Sequence, residues 1–135
     1  MQATELFELM MTAQTPVEVN VCGESMLPAL RPDADTVILE PLKSSPSKGD
    51  IVLAKTDEGG IVLHRVVNVN DGFVSLMGDH NRIKIEQCKA SDVVARVSYV
   101  KRNNRILPSP PLSCLLRLPF LRRIFLTIYD FSKQY

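Results

Sequence analysis

Ile61-Val62-Leu63-His64-Arg65-Val66-Val67-Asn68-Val69-Asn70-Asp71-Gly72-Phe73-Val74-Ser75-Leu76-Met77 is the stretch that decides the fold. Ile61 to Val69 is the longest apolar strand of the chain, with His64 and Arg65 set into it. Asn70-Asp71-Gly72 is its strongest hairpin signal, because these residue types tolerate the positive φ that a tight turn needs. Phe73 to Met77 then returns antiparallel and ends at Gly78-Asp79. Working outward, Val17-Glu18-Val19-Asn20-Val21 alternates strictly and reads as a half-buried strand with its valines inward. Thr36 to Leu39 forms a second strand, closed by Pro41. Asp50 to Ala54 is a strand followed by a hairpin turn over Thr56 to Gly60. Asp92 to Lys101 is the last clear strand, with Val93, Val94, Val97 and Val100 apolar. Residues 43–48 read as a solvated loop, and 79–91 as a loop with a short turn of helix. Short strands with turn signals at this density predict a mainly β fold of barrel or sandwich type, not βαβ units.

Residues 2–13 read as a short amphipathic helix, with Leu6 and Met10, and secondarily Phe7 and Leu9, toward the core; Thr15-Pro16 breaks it. Leu107-Pro108-Ser109-Pro110-Pro111 reads as a linker. Beyond it, Pro119 can open a helix in which Phe120, Leu121, Ile124, Phe125, Ile128 and Phe131 share a face. The expected organisation is a β domain over 1–106 and a Pro-rich linker with a basic amphipathic helix over 107–135.

A chain of 135 residues is one domain with a core of useful size. Its 45% hydrophobic and 23% charged content excludes wholesale disorder. Few aromatics and no Trp argue against a base- or sugar-stacking platform. The net charge of +1 hides an asymmetry: residues 101–135 carry +6 and the preceding hundred −5. A basic tail on a mildly acidic body predicts peripheral contact of 112–135 with a membrane surface, or with an anionic partner, in preference to nucleic acid. Cys22, Cys88 and Cys114 lie far apart, with no Cys-x-x-Cys or Cys/His cluster. They read as buried thiols of a reducing compartment, and no metal or cofactor is expected. No secretory signal is evident in Met1 to Gln14, and the apolar runs fall short of a spanning helix. The expected location is cytoplasmic, or peripheral at the inner membrane face.

The chemistry centres on Gly23-Glu24-Ser25-Met26-Leu27-Pro28-Ala29-Leu30, a turn that can hold a hydroxyl out of a strand end. Ser25 becomes a nucleophile only where a base takes its proton. Of the two histidines, His64 and His80, the first lies in an apolar strand, where burial favours the neutral, proton-accepting ring. A core histidine bonded to a backbone carbonyl is the plain competing reading. Asp79 and Glu86 are the acids able to orient His64; taken alone, each also reads as a loop capping group.

The ordered boxes Gly23-x-Ser25-Met26-x-Pro28-x-Leu30, Lys48-Gly49-Asp50-Ile51-Val52, His64-Arg65-Val66-Val67, Gly78-Asp79-x-Asn81 and Asp92-Val93-Val94-x-Arg96-Val97 resemble type I signal peptidases. The wider superfamily includes the LexA-like self-cleaving repressors. The likeness spans residues 17–101 and implies a signal peptidase/LexA-like β catalytic domain. Histidine at position 64, where the typical bacterial enzyme and the LexA branch carry lysine, is similar to the archaeal, endoplasmic-reticulum and sporulation-type branch. The resemblance implies that Ser25 is acylated, that His64 is the general base, and that Gly23, Met26 and Pro28 border the substrate and oxyanion region.

Three departures qualify it. Gly23 stands where the family often carries an oxyanion-side hydroxyl, a donor worth about 3 kcal/mol. The third acid aligns without a gap on Ile85, so Glu86 is favoured if the loop shifts by one, with Asp79 as structural residue or substitute. Only sixteen residues precede the first strand, where the family carries a membrane anchor. Cys22-Gly23 resembles the bonds cut in LexA-type proteins but abuts the serine turn, so self-cleavage is disfavoured. No helix-turn-helix is visible ahead of the β domain, which counts against DNA repression. The expected function is a serine endopeptidase acting on leader or precursor peptides at small-side-chain sites. The rival is a catalytically weak peptide-binding or maturation-accessory module on the same fold.

Overall fold

The computed structural model describes residues 2–21, 23, 25–27, 29–32, 34–80 and 84–108. Helix α1 (Ala3–Thr12) is followed by eight strands: β1 (Val17–Asn20), β2 (Asp35–Pro41), β3 (Ile51–Lys55), β4 (Ile61–Asn70), β5 (Phe73–Met77), β6 (Glu86–Lys89), β7 (Val93–Arg102) and β8 (Arg105–Pro108). The fold is mainly β, as the strand and turn pattern predicts. All pairings are antiparallel, in the order β1-β2-β7-β3-β4-β5-β6, with β8 also on β7.

The β4–β5 hairpin forms where the sequence demands it. Asp71 and Gly72 both adopt positive φ, 47° and 82°, so the turn twists with its strands, and Asn70 faces Phe73 across it. Register slips between Ile38 and Leu39, between Leu53 and Ala54, and between Val66 and Asn68. Such bulges bend a sheet and sharpen its twist. Side chains therefore gather into two apolar clusters. One joins Phe7 and Met10 of α1 to Val37, Leu39, Ile51, Leu53, Val97 and Val100; the other joins Val52, Ala54, Val66, Val74, Leu76, Cys88 and Val93.

Three local expectations are corrected. Leu9 of α1 is 40% exposed, and the buried stripe is Phe7 and Met10 flanked by Leu6. The presumed loop over 79–91 contains β6, whose Glu-Gln-Cys-Lys sequence hides its strand character because only Cys88 is buried. The presumed linker begins too early: Asn103 and Asn104 take positive φ, 51° and 63°, and turn the chain into β8, which runs to Pro108 and packs Leu107 on the first cluster. The expected C-terminal helix and its membrane contact fall outside the described residues, as do Cys22, Cys114 and Pro28. Among the described residues, no helix is long and apolar enough to cross a membrane.

Two charged pairs tie loops to this sheet. Arg65 of β4 and Asp79, both fully buried, meet through two bonds: Nε donates to Oδ1 and Nη2 to Oδ2, each at 2.8 Å. Arg65 Nη1 also donates to the Gly49 carbonyl at 2.9 Å. On the far side of the serine turn in sequence, Arg102 of β7 donates twice to Asp35, each at 2.7 Å, and once to the Ala29 carbonyl at 3.0 Å. The Arg31 backbone N–H completes the shell of Asp35 at 2.8 Å. Burial by itself would raise the Asp35 pKa, but the hydrogen bonds from Arg102 and Arg31 and their charge outweigh it and hold the carboxyl below its ordinary 3.8. The bond to Asp35 likewise raises Arg102 against its own burial.

Removing one partner of the buried pair strands a charge, so Asp79→Ala should cost about 3–5 kcal/mol in denaturant unfolding. Lys101→Ala, which breaks an exposed pair with Glu18, should cost under about 1 kcal/mol. A depressed carboxyl pKa stabilises the fold above the unfolded-state value and loses that contribution as pH falls through the folded one. Acid titration of stability should therefore show a loss beginning below about pH 4, and Asp35→Asn should flatten that limb.

Candidate active site

Ser25 lies on an exposed turn between β1 and β2. The turn closes on itself through Leu30 N–H to the Met26 carbonyl at 2.9 Å, and Met26, Leu27, Ala29 and Leu30 are buried beneath it. Gly23 enters the turn at φ +77°, with no atom near a would-be Cβ. That left-handed conformation strongly favours glycine. The backbone thus explains why a hydroxyl-bearing residue is absent at this position.

The segment after β5 holds the turn in place. His80 N–H donates to the Ser25 carbonyl at 2.9 Å, and Asp79 N–H to Met26 Sδ at 3.4 Å. Asp79 is itself clamped by Arg65, the residue next to His64. Gly78 allows the close approach: a Cβ placed there would fall 2.7 Å from the Ser25 carbonyl oxygen, 3.3 Å from Ser25 Cβ and 3.2 Å from His64 Nε2. The serine turn and the imidazole therefore border one small space, kept open by a missing side chain.

His64 stands on β4 opposite Val52 of β3, and only 9% of it is exposed. Glu86 opens β6 opposite Leu76, which in turn faces Val66. By register, His64, Val66, Leu76 and Glu86 share one face of the sheet, and Glu86 reaches His64 from two strands away. Glu86 Oε1 lies 2.5 Å from His64 Nδ1, with both side chains nearly buried. The approach is close but not aligned along a ring N–H, so Nδ1 has a carboxylate neighbour and no well-directed hydrogen bond. Such a carboxylate favours the tautomer with its proton on Nδ1 and leaves Nε2, on the Ser25 side, free to accept one. Among the described residues, no hydrogen bond joins Ser25 to His64.

Of the residues singled out from the sequence, the fold brings Ser25, His64 and Glu86 to one place, with Gly23 and Met26 on the serine turn. Asp79 is next door but spends both oxygens on Arg65. Pro28 lies outside the described residues. Sequence reasoning passed over Arg65 as a clamp and Gly78 as a spacer. An arginine inside an apolar strand was the signal for the first, since a buried guanidinium needs an anionic partner. Nothing in the sequence pointed to the second. Cys88 is buried against the second cluster, and burial, with the charges of Asp92 and Asp57, pushes its thiol up to about 11. It is no nucleophile at neutral pH. Among the described residues, no group of three or more His, Cys, Asp or Glu is placed to hold a metal.

An apolar groove of about 290 Å3 leads up to Ser25 and His64. Its floor includes Met26, Leu30, Val37, Leu39 and Leu53, and its sides are Val19 to Val21 and Ile61 to Leu63. Both sides are strand edges. Among the described residues, β1 ends the sheet order and β5 pairs with β4 only from Arg65 onward, so backbone N–H and C=O groups border the groove.

A family model described as Peptidase S24-like matches residues 4–98, well over half of the chain. The chain belongs to the Peptidase S24-like family. No curated protein and no solved structure matches it. The family match carries a serine-peptidase-like fold and family-level peptidase character, on the LexA-like side of the resemblance seen in the sequence. Within this S24-like domain the matched residues run from α1 to β7 and include Ser25, His64 and Glu86.

Gly78→Ala should force the serine turn or His64 to move. The expected result is an unfolding free energy lower by about 1–3 kcal/mol, with displaced His64 ring resonances in NMR spectra.

Proposed function

We propose that this S24-like chain is a serine endopeptidase, resembling the histidine branch of type I signal peptidases, that cuts leader or precursor peptides bound in extended form. The observation that carries the reading is the convergence of Ser25 and His64 Nε2 on the space beside Gly78, with Glu86 behind the ring. Ser25 Oγ attacks the scissile carbonyl while its proton passes to His64 Nε2. Glu86 stabilises the imidazolium that forms, and that proton then leaves with the departing amine. Water, deprotonated by the same imidazole, hydrolyses the acyl-Ser25 ester and releases the acid product. With Gly23 in place of a hydroxyl, backbone N–H groups of the serine turn are the donors nearest the developing oxyanion.

A second reading rests on two features of the described residues at the site: Ser25 makes no hydrogen bond to His64, and Gly23 supplies no side-chain donor. It is a peptide-binding or maturation-accessory module with weak catalysis. The two readings separate in one experiment. A diverse peptide mixture is incubated with the protein and analysed by mass spectrometry, beside Ser25→Ala and His64→Ala. The peptidase reading expects cuts that vanish in both variants and fall by about 10²–10⁴-fold in Glu86→Gln. Intact peptides that nevertheless bind the unaltered protein would establish the module instead.

A further inference from the structure

The serine turn has a second anchor, at its base, where both limbs of the loop converge on Asp35. The Asp35 carbonyl accepts from Val21 N–H at 3.1 Å, ahead of Ser25, and Asp35 N–H donates to the Arg31 carbonyl at 2.9 Å, beyond it. The Asp35 side chain is fully buried. Its carboxylate accepts from Arg31 N–H on one oxygen and from Arg102 on both. The third bond of Arg102, to the Ala29 carbonyl at 3.0 Å, reaches into the turn itself. A guanidinium suits this task because its donors form a rigid fork. The Arg102 backbone is held on both sides, opposite Asp35 on β2 and Arg105 on β8.

Between Ala29 and Ser25 the turn has little slack. Leu30 N–H closes on the Met26 carbonyl at 2.9 Å, and Ala29 and Leu30 are fully buried. A displacement at the base therefore carries to Ser25. Among the described residues that line the groove, none is Ala29, Asp35 or Arg102, so the anchor acts on the Ser25 turn and not on a bound peptide.

We propose that Arg102 is a positioning residue for Ser25: from the last position of β7 it sets, through Ala29 and Asp35, where the serine turn stands relative to His64. The inference rests on the peptidase reading for the rate that Arg102 controls, and on the hydrogen-bond geometry for the position that it sets.

The test compares the full chain with Arg102→Ala, Arg102→Lys and, as a control at the exposed neighbour, Lys101→Ala. Two quantities are read. One is kcat and KM on the peptide that the unaltered chain cuts fastest in the mixture. The other is amide hydrogen exchange at Leu30 and His80, whose N–H groups bond within and onto the serine turn. A misplacement of about 1 Å, even from a distant substitution, costs about 10²-fold in rate, so Arg102→Ala should lower kcat by about that factor and leave KM unchanged. Exchange at Leu30 and His80 should quicken by more than at Val66, whose N–H bonds to the Asp50 carbonyl at 2.7 Å on β4, two strands from β7 in the sheet. A general loss of stability would quicken all three alike. Arg102→Lys keeps the charge without the fork and should change both readouts in the same direction; it decides alone should Arg102→Ala fail to fold. Lys101→Ala should leave both unchanged. An unaltered kcat in a folded Arg102 variant, or exchange at Leu30 and His80 that quickens no more than at Val66, would overturn the inference and leave peptide processing standing. An unaltered chain that cuts no peptide would overturn the peptidase reading, and exchange at Leu30 and His80 would then decide the anchor by itself.

Discussion

The buried bidentate contact between Arg65 and Asp79 is the constraint on which the site depends. A guanidinium and a carboxylate withdrawn from water are each costly, and their mutual geometry together with the Gly49 carbonyl offsets that cost. That geometry fixes more than itself. Asp79 lies between Gly78, which makes room beside His64, and His80, whose N–H holds the Ser25 carbonyl. Arg65 follows His64 directly on β4. One ion pair thus locks the strand that bears His64 and the turn that bears Ser25 to the same short segment, and each of them inherits its position from the other.

Around that lock, the chemistry is divided among elements distant in sequence. Ser25 comes from a turn between β1 and β2, His64 from the middle of β4, and Glu86 from the first residue of an edge strand. Antiparallel register brings the last two to one face of the sheet, and the end of β1 and the start of β4 line one groove. The groove between them is apolar along its floor and meets polar groups at Ser25 and His64. Under the peptidase reading this arrangement suits an extended peptide, with backbone groups at the groove's sides and apolar side chains along its floor.

Much of this was legible in the sequence because it rests on local rules. The β4–β5 hairpin follows from Asn-Asp-Gly between apolar runs, and the outer strands from alternation and turn residues. Ser25 and His64 stood out because a hydroxyl and an imidazole sat in contexts that neither needed for packing. Glu86 was named beside Asp79 as an acid able to orient His64 and preferred only through a shifted alignment, since an acid in a polar stretch carries no periodic signal; its place beside His64 arises from pairing with β5. The strand character of β6 and β8 was hidden for the same reason, because edge strands take their order from a neighbour and not from their own composition. The roles of Gly78 and Gly23 differ again. One is a matter of space between distant segments and the other of backbone φ, and a glycine code letter distinguishes neither from an ordinary loop residue.

The pairing of β2 with β7 has a consequence for how the protein comes into being. Asp35, which closes the serine turn, is held by Arg102, and strand β2 lies between β1 and the C-terminal half of the domain. During synthesis β2 leaves the ribosome before its partner strand, and loop closure over some sixty residues is an entropic cost met only when β7 emerges. The Ser25 turn is made before the strand that fixes it. Under the peptidase reading, a nascent chain has no competent site until the sheet is nearly complete, which protects it and its neighbours from cleavage while it folds.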